Sequence, residues 1–218
     1  MEIVEGIHKN SEGDLSVPST ASMDELYCAD DCPALLKEAI DYSAVWQVRN
    51  ETSVEKAVSA PSLLPEFTLG LLAMDAEVLL EDGSAVPFTE YVNKSGKRGK
   101  MAALLVSEAR PAATARLGVA PKSEPIVAVA ASIQVEDGVV QDVCVAATGV
   151  WAGRKWLAES TSKFTGVETA KLDVDGVVAA IEGEVNPKGD YLGSTEYRRA
   201  MAGVLTRQAL EACLKGAK

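Results

Sequence analysis

Short runs enriched in apolar residues flank a glycine-containing turn in three places along the 218-residue chain: residues 3–17 around Glu12-Gly13-Asp14, 76–88 around Asp82-Gly83, and 128–146 around Asp137-Gly138. Each pattern predicts a β-hairpin, because glycine next to aspartate accepts the tight turns that join antiparallel strands. Helices are predicted over 33–43, with Pro33 in the first turn, over 63–74, and over 173–185 with Asp173 as cap. A fourth, C-terminal helix follows residues 189–194. There Ser194 or Thr195 is placed to accept backbone N–H groups, Glu196 sits at the positive end of the dipole, and Arg207 lies nearer the other end. Tyr197, Met201, Val204, Leu205, Ala209 and Ala212 recur every three or four residues. This spacing directs them to a core and sets Arg198, Arg199 and Gln208 off that face. Strands and helices alternate irregularly, which predicts an α+β fold.

A chain of this length with 47% hydrophobic residues can bury one large core or two small ones. Two domains are expected, 1–109 and 110–218. The aperiodic segment 110–116, placed after an expected edge strand, marks their boundary. A net charge of −11 and a pI near 4.7 argue against nucleic-acid binding, which concentrates Lys and Arg on one face. No run approaches the roughly 18 apolar residues needed to span a bilayer. The acidic start Met1-Glu2-Ile3-Val4-Glu5 does not read as a signal peptide, so a cytoplasmic location is expected.

Candidate chemistry is sparse. Of the four cysteines only Cys28 and Cys32 are close, and with His8 as the single histidine they do not make a metal-ligand set. The lone histidine also argues against Ser-His-Asp and Cys-His catalysis. No catalytic residue and no metal site are assigned, and the chain is not expected to be catalytic alone. The basic stretch 93–100, Asn-Lys-Ser-Gly-Lys-Arg-Gly-Lys, reads as a solvated loop with Lys97 as a potential anion contact.

Gly-Ser-Thr-Glu-Tyr-Arg-Arg at 193–199, followed by Val204-Leu205 and by Arg207-Gln208-Ala209-Leu210, resembles the closing helix of the medium, FAD-binding subunits of the xanthine dehydrogenase and carbon monoxide dehydrogenase family of molybdenum hydroxylases. Residues 126–150 are similar to that family's small C-terminal domain. Gln47-Val48-Arg49-Asn50 and Leu71-Leu72-Ala73-Met74-Asp75-Ala76-Glu77-Val78 resemble two further motifs at a matching separation. The resemblance implies the C-terminal part of a FAD-binding domain, a mixed sheet with helices, followed by a domain of antiparallel sheet flanked by helices. It also implies an oxidoreductase complex with an iron–sulfur subunit and a molybdopterin subunit, and electron transfer through FAD.

Carried across residue by residue, the flavin motifs are changed. The family's Thr-x-Gly-Gly-Asn turn, where glycine lets the backbone approach the cofactor, corresponds here to Ser53-Val54-Glu55-Lys56-Ala57. Glu55 adds a negative charge that Lys56 only partly offsets. The family's Ser-Pro-Ala-Ala-Asp corresponds to 62–66, keeping Ser62 and, one methylene longer, Glu66. The resemblance begins after the family's first subdomain with its phosphate-cradling Ala-Gly-Gly-Thr loop. From these changes impaired FAD binding is expected, with Ser53, Glu55, Lys56, Ser62, Glu66 and Lys97 as the cofactor-site or cleft positions. Three readings follow: a medium-type subunit kept for assembly or docking, a working FAD-dependent electron-transfer subunit completed by a separate phosphate-binding chain, and a small-ligand binder reusing the cleft. An apolar cleft would need cover, by a partner or by a second copy in a homo-oligomer.

Overall fold

The computed structural model describes residues 6–94, 98–108, 110–153 and 155–216, and the chain divides into two compact units, Met1–Glu108 and Ala109–Lys218. The fold class is α+β, as expected. In the first unit the order is β1 (His8–Lys9), β2 (Leu15–Pro18), α1 (Met23–Cys28), α2 (Ala34–Ser43), α3 (Trp46–Glu51), α4 (Val54–Ser59), α5 (Pro65–Ala73), β3 (Glu77–Leu80), β4 (Ala85–Pro87), α6 (Phe88–Asn93) and β5 (Met101–Val106). The five strands form one sheet ordered β1-β2-β5-β3-β4.

Every described pairing in that sheet is antiparallel, so the mixed sheet implied by the resemblance is corrected. The strand expected at the edge, β5, lies in the middle between β2 and β3. Its Leu104 and Val106 are fully buried, with Leu15 and Val17 on the neighbouring β2. The hairpin read at 3–17 is present as β1–β2. Its turn is held by Asn10, whose Oδ1 accepts the N–H groups of Glu12 and Asp14, both at 2.9 Å; residues 3–5 lie outside the described residues.

The helix expected over 63–74 begins at Pro65, where proline at the first position loses no intrahelical hydrogen bond. It is buried on all sides from Glu66 to Ala73, which is why no amphipathic stripe marks it. Gly70 permits close packing on α2, since a Cβ there would lie 3.0 Å from Leu36 Cδ2. Four short helices, α1, α3, α4 and α6, are missing from the sequence reading. Six residues are too few to establish a period, and side-chain caps mark only α1 and α4. At α1 the Ser22 hydroxyl accepts from Glu25 N–H at 3.1 Å while the Glu25 carboxylate accepts from Ser22 N–H at 2.7 Å, a reciprocal capping box.

The second unit contains β6 (Ala112–Gly118), β7 (Pro125–Glu136), β8 (Val139–Thr148), β9 (Val167–Glu168), α7 (Val174–Glu184) and α8 (Thr195–Gly216). Its antiparallel sheet is ordered β6-β7-β8-β9. Residues 110–116, read as an irregular connection, run into β6, which an alanine-rich, half-buried composition does not reveal. The long β7–β8 hairpin turns at Asp137 (φ 50°) and Gly138 (φ 75°), the paired left-handed geometry that matches strand twist. One face of β7, Val127, Val129, Ala131 and Ile133, joins Val177 and Ile181 of α7 and Leu205, Ala209, Leu210 and Cys213 of α8 in a single core. Asp173 caps α7 by accepting from Gly176 N–H at 2.8 Å, as read from sequence.

The face of α8 is rotated from the one expected. Tyr197 and Val204 are 42% and 44% exposed, and Arg198, placed off the core by its charge, is 6% exposed. The buried positions are Arg198, Ala202, Gly203, Leu205, Thr206, Ala209, Leu210 and Cys213. Charge is divided unequally along the chain. The first unit carries 19 acidic and 8 basic residues and the second 13 of each, so the whole net charge of −11 belongs to the first.

Candidate functional site

Residues 53–57, read from the resemblance as the counterpart of the flavin-cradling turn, form the start of α4, and the chain closes this turn from within. Ser53 caps the helix, its hydroxyl accepting from Lys56 N–H at 3.2 Å. The segment 19–23 runs alongside in the opposite direction: Val54 N–H donates to Ala21 O at 2.8 Å, Glu55 N–H to Ser19 O at 3.0 Å, and Met23 N–H to Thr52 O at 2.9 Å, around an antiparallel bridge between Ser22 and Ser53. Ala57 N–H donates to Ser53 O at 3.0 Å. The N–H groups of residues 54–57 therefore all have partners inside the chain.

The charges around α4 cancel. Lys100 Nζ lies 2.6 Å from Glu81 Oε1, and the Lys100 ammonium is held above its ordinary pKa by Glu81 first and by Glu55 as well. Glu55 is half-buried on α4 and Lys56 is exposed. Arg98 in the basic loop donates to Ser59 O (3.1 Å) and Val92 O (3.2 Å) and lies 5.1 Å from the centre of the Tyr91 ring. Residues 93, 94, 99 and 100 of that loop are exposed, in keeping with a solvated connection, and Arg98 ties it to its neighbours; Lys97 lies outside the described residues.

The remaining candidate positions separate. Ser62 is exposed, whereas Glu66 is 1% exposed inside α5, where its Oε2 accepts from Ser43 Oγ at 2.7 Å. In the Gln-Val-Arg-Asn stretch, Arg49 joins three helices: its Nε donates to Asp24 Oδ1 at 2.9 Å, its Nη1 lies 3.6 Å from Asp41, and its guanidinium stacks 4.2 Å from the Tyr27 ring. A shallow depression of about 300 Å³ exists in the second unit between β8 and residues 157–162, lined by Asp142, Cys144, Leu157 and Glu159 among others, and none of the candidate positions lines it. Among the described residues no three metal-ligating side chains come together, and no disulfide joins the four cysteines.

Arg198 is what the sequence reading misplaced. Its Nη2 makes a bidentate pair with Asp190 (2.8 and 2.7 Å), and its Nη1 donates to Ile126 O and to Gly149 O (3.1 Å). One guanidinium so ties the start of α8 to the beginning of β7, the end of β8 and the 190–193 turn. Gly149, at φ 78°, is obligatory there because a Cβ would collide with Ile126 O. The stretch Gly-Asp-Tyr-Leu-Gly-Ser-Thr-Glu-Tyr-Arg supplies this junction as a unit.

Residues 122–213 match the family model described as the CO dehydrogenase flavoprotein C-terminal domain. Within the second unit these residues are similar to that family's domain. Over the whole chain, the fold is shared with solved structures of carbon monoxide dehydrogenase from Hydrogenophaga pseudoflava (TM-score 0.80, 21% identity, 96% of this chain and 78% of that one) and of quinoline 2-oxidoreductase from Pseudomonas putida 86 (TM-score 0.78, 16% identity, 99% and 79%). Reconstituted CO dehydrogenase from Oligotropha carboxidovorans gives TM-score 0.78 at 20% identity, covering 98% and 79%. Among curated proteins, the uncharacterized protein YgfM of Escherichia coli K12 is 23% identical over 201 residues, 92% of this chain and 73% of that protein. These findings support the family read from the sequence.

Proposed function

We propose that this chain is a medium-type subunit of a molybdenum hydroxylase complex in which the flavin-cradling turn has become a closed structural junction, and that it serves assembly with an iron–sulfur subunit and a molybdopterin subunit in the cytoplasm. The observation that carries the reading is the occupancy of the α4 turn. A bound diphosphate needs backbone N–H groups that point at it unpaired, and those of Val54, Glu55, Lys56 and Ala57 are engaged by Ala21, Ser19 and Ser53. Side chains stand where glycine would let a cofactor approach, and the Glu55 and Glu81 carboxylates offset Lys56 and Lys100. The residues at this turn do not fit FAD, so no electron-transfer step is assigned to them.

Reuse of the cleft for a small ligand has little support: Glu66, the anionic contact that reading needs, is sealed within α5 against Ser43. Purification of the native complex, with molybdenum, iron and flavin quantified, tests the proposal. Molybdenum and iron in stoichiometric amounts without flavin are expected. One flavin per chain would instead favour an electron-transfer subunit completed by another phosphate-binding chain, and a lone monomer in native extract would remove the subunit reading.

A further inference from the structure

In the first unit, the large apolar side chains left exposed among the described residues are Val45 (45%) and Trp46 (62%), adjacent where α3 begins, and Leu63 (41%), just before α5. The Ser43 Oγ to Glu66 Oε2 hydrogen bond, 2.7 Å, pins the end of α2 to the start of α5. Trp46 is three residues from Ser43 and Leu63 three residues from Glu66. Since a chain advances at most about 3.6 Å per residue, the Cα atoms of all three lie within about 11 Å of their side of that bond. Tryptophan is normally drawn from water by its area and anchors interfaces when it is not.

The surroundings are acidic. Residues 24–51 hold seven carboxylates and two cations, Lys37 and Arg49, and Arg49 is taken up by Asp24 and Asp41. Glu38 and Glu51 are exposed, and the Asp41 side chain is 47% exposed. Two copies of a unit bearing the chain's entire net charge of −11 would repel each other across such a rim.

We infer that Trp46, with Val45 and Leu63, is the anchor of a docking surface on the first unit that accepts a protein face presenting an apolar pocket ringed by Lys and Arg. This rests on the proposed role as a complex subunit, and names the surface through which the chain joins its iron–sulfur or molybdopterin partner. The test is co-expression of the chain with those two subunits of its own organism, with assembly followed by analytical ultracentrifugation at low and high salt. Trp46→Ala should weaken assembly at least tenfold while leaving circular dichroism and Tm unchanged, because the side chain is exposed. Glu51→Lys should weaken it at low salt and flatten its salt dependence. Assembly by both variants equal to that of the unaltered chain would overturn the surface while leaving the subunit role standing. Conversion of a homodimer to monomer by Trp46→Ala, with subunit assembly intact, would assign the patch to a second copy and overturn the inference. Failure of the unaltered chain to assemble with either subunit would remove both.

Discussion

Glu184, at the end of α7, acts as a clamp on the segment that precedes the 3-10 turn at 160–163. Its carboxylate accepts from the N–H groups of Glu159 (2.9 and 3.1 Å) and Ser160 (2.9 Å) and from Lys155 Nζ (2.6 Å). Burial by itself would raise its pKa, but these donors outweigh burial and bring it from 4.5 down to about 2. A carboxyl depressed on folding contributes stability that is complete above its unfolded value near 4.5 and is lost as pH falls towards 2. Glu184→Gln should therefore cost about 1.5–3 kcal/mol at neutral pH, the range for hydrogen bonds to a charged group, and should flatten the acid limb of Tm between those two pH values, as read by circular dichroism. The thiols make a second residue-level test. Burial pushes Cys32 and Cys213 up to about 12, so both stay protonated at pH 8, whereas Cys28 is exposed. Iodoacetamide at that pH should label Cys28 first and leave Cys32 and Cys213 unlabelled until denaturant is added, with mass spectrometry assigning the sites.

Among the elements, α8 and the junction that starts it carry the most weight in the second unit. Arg198→Ala would leave the carbonyls of Ile126 and Gly149 without their donor, at a cost of about 1–3 kcal/mol for buried acceptors left unpaired, while Asp190, whose side chain is 44% exposed, can turn to water. Arg198→Lys should not rescue it, since an ammonium cannot reproduce a planar fork that serves a bidentate carboxylate and two carbonyls at once. Urea unfolding followed by tryptophan emission checks both, and Gly149→Ala should fall in the same range. This junction also shows what the sequence could reveal. The existence of α8, its Ser194 cap and the three hairpins were legible because capping and Asp-Gly turns are local chemistry. The orientation of α8 was not, because an arginine scored as polar is neutralised by Asp190 and donates through Nη1 to carbonyls 49 and 72 residues away. The all-round burial of α5 and the central place of β5 were hidden for a related reason: a predominantly apolar run has no polar face to set its period.

For the whole molecule, the two units differ in what identifies them. The second, electrically balanced, is recognisable as a family domain over residues 122–213. The first holds the net charge, an exposed tryptophan and the closed α4 turn. The resemblance singles out residues 53–57 but gives no sign that the N–H groups there are occupied, because the partners Ser19 and Ala21 lie more than thirty residues earlier and accept through their backbones. The same backbone pairing predicts that restoring glycine at both positions, Glu55→Gly with Lys56→Gly, will not create a flavin site, since the donors remain engaged; flavin fluorescence quenching should be as weak as with the unaltered chain. The most direct measurement is calorimetric titration of FAD into the purified chain. No saturation up to about 1 mM, binding weaker than about −4 kcal/mol, is the expected result. A dissociation constant in the micromolar range would contradict the account by showing that the α4 turn accommodates the cofactor.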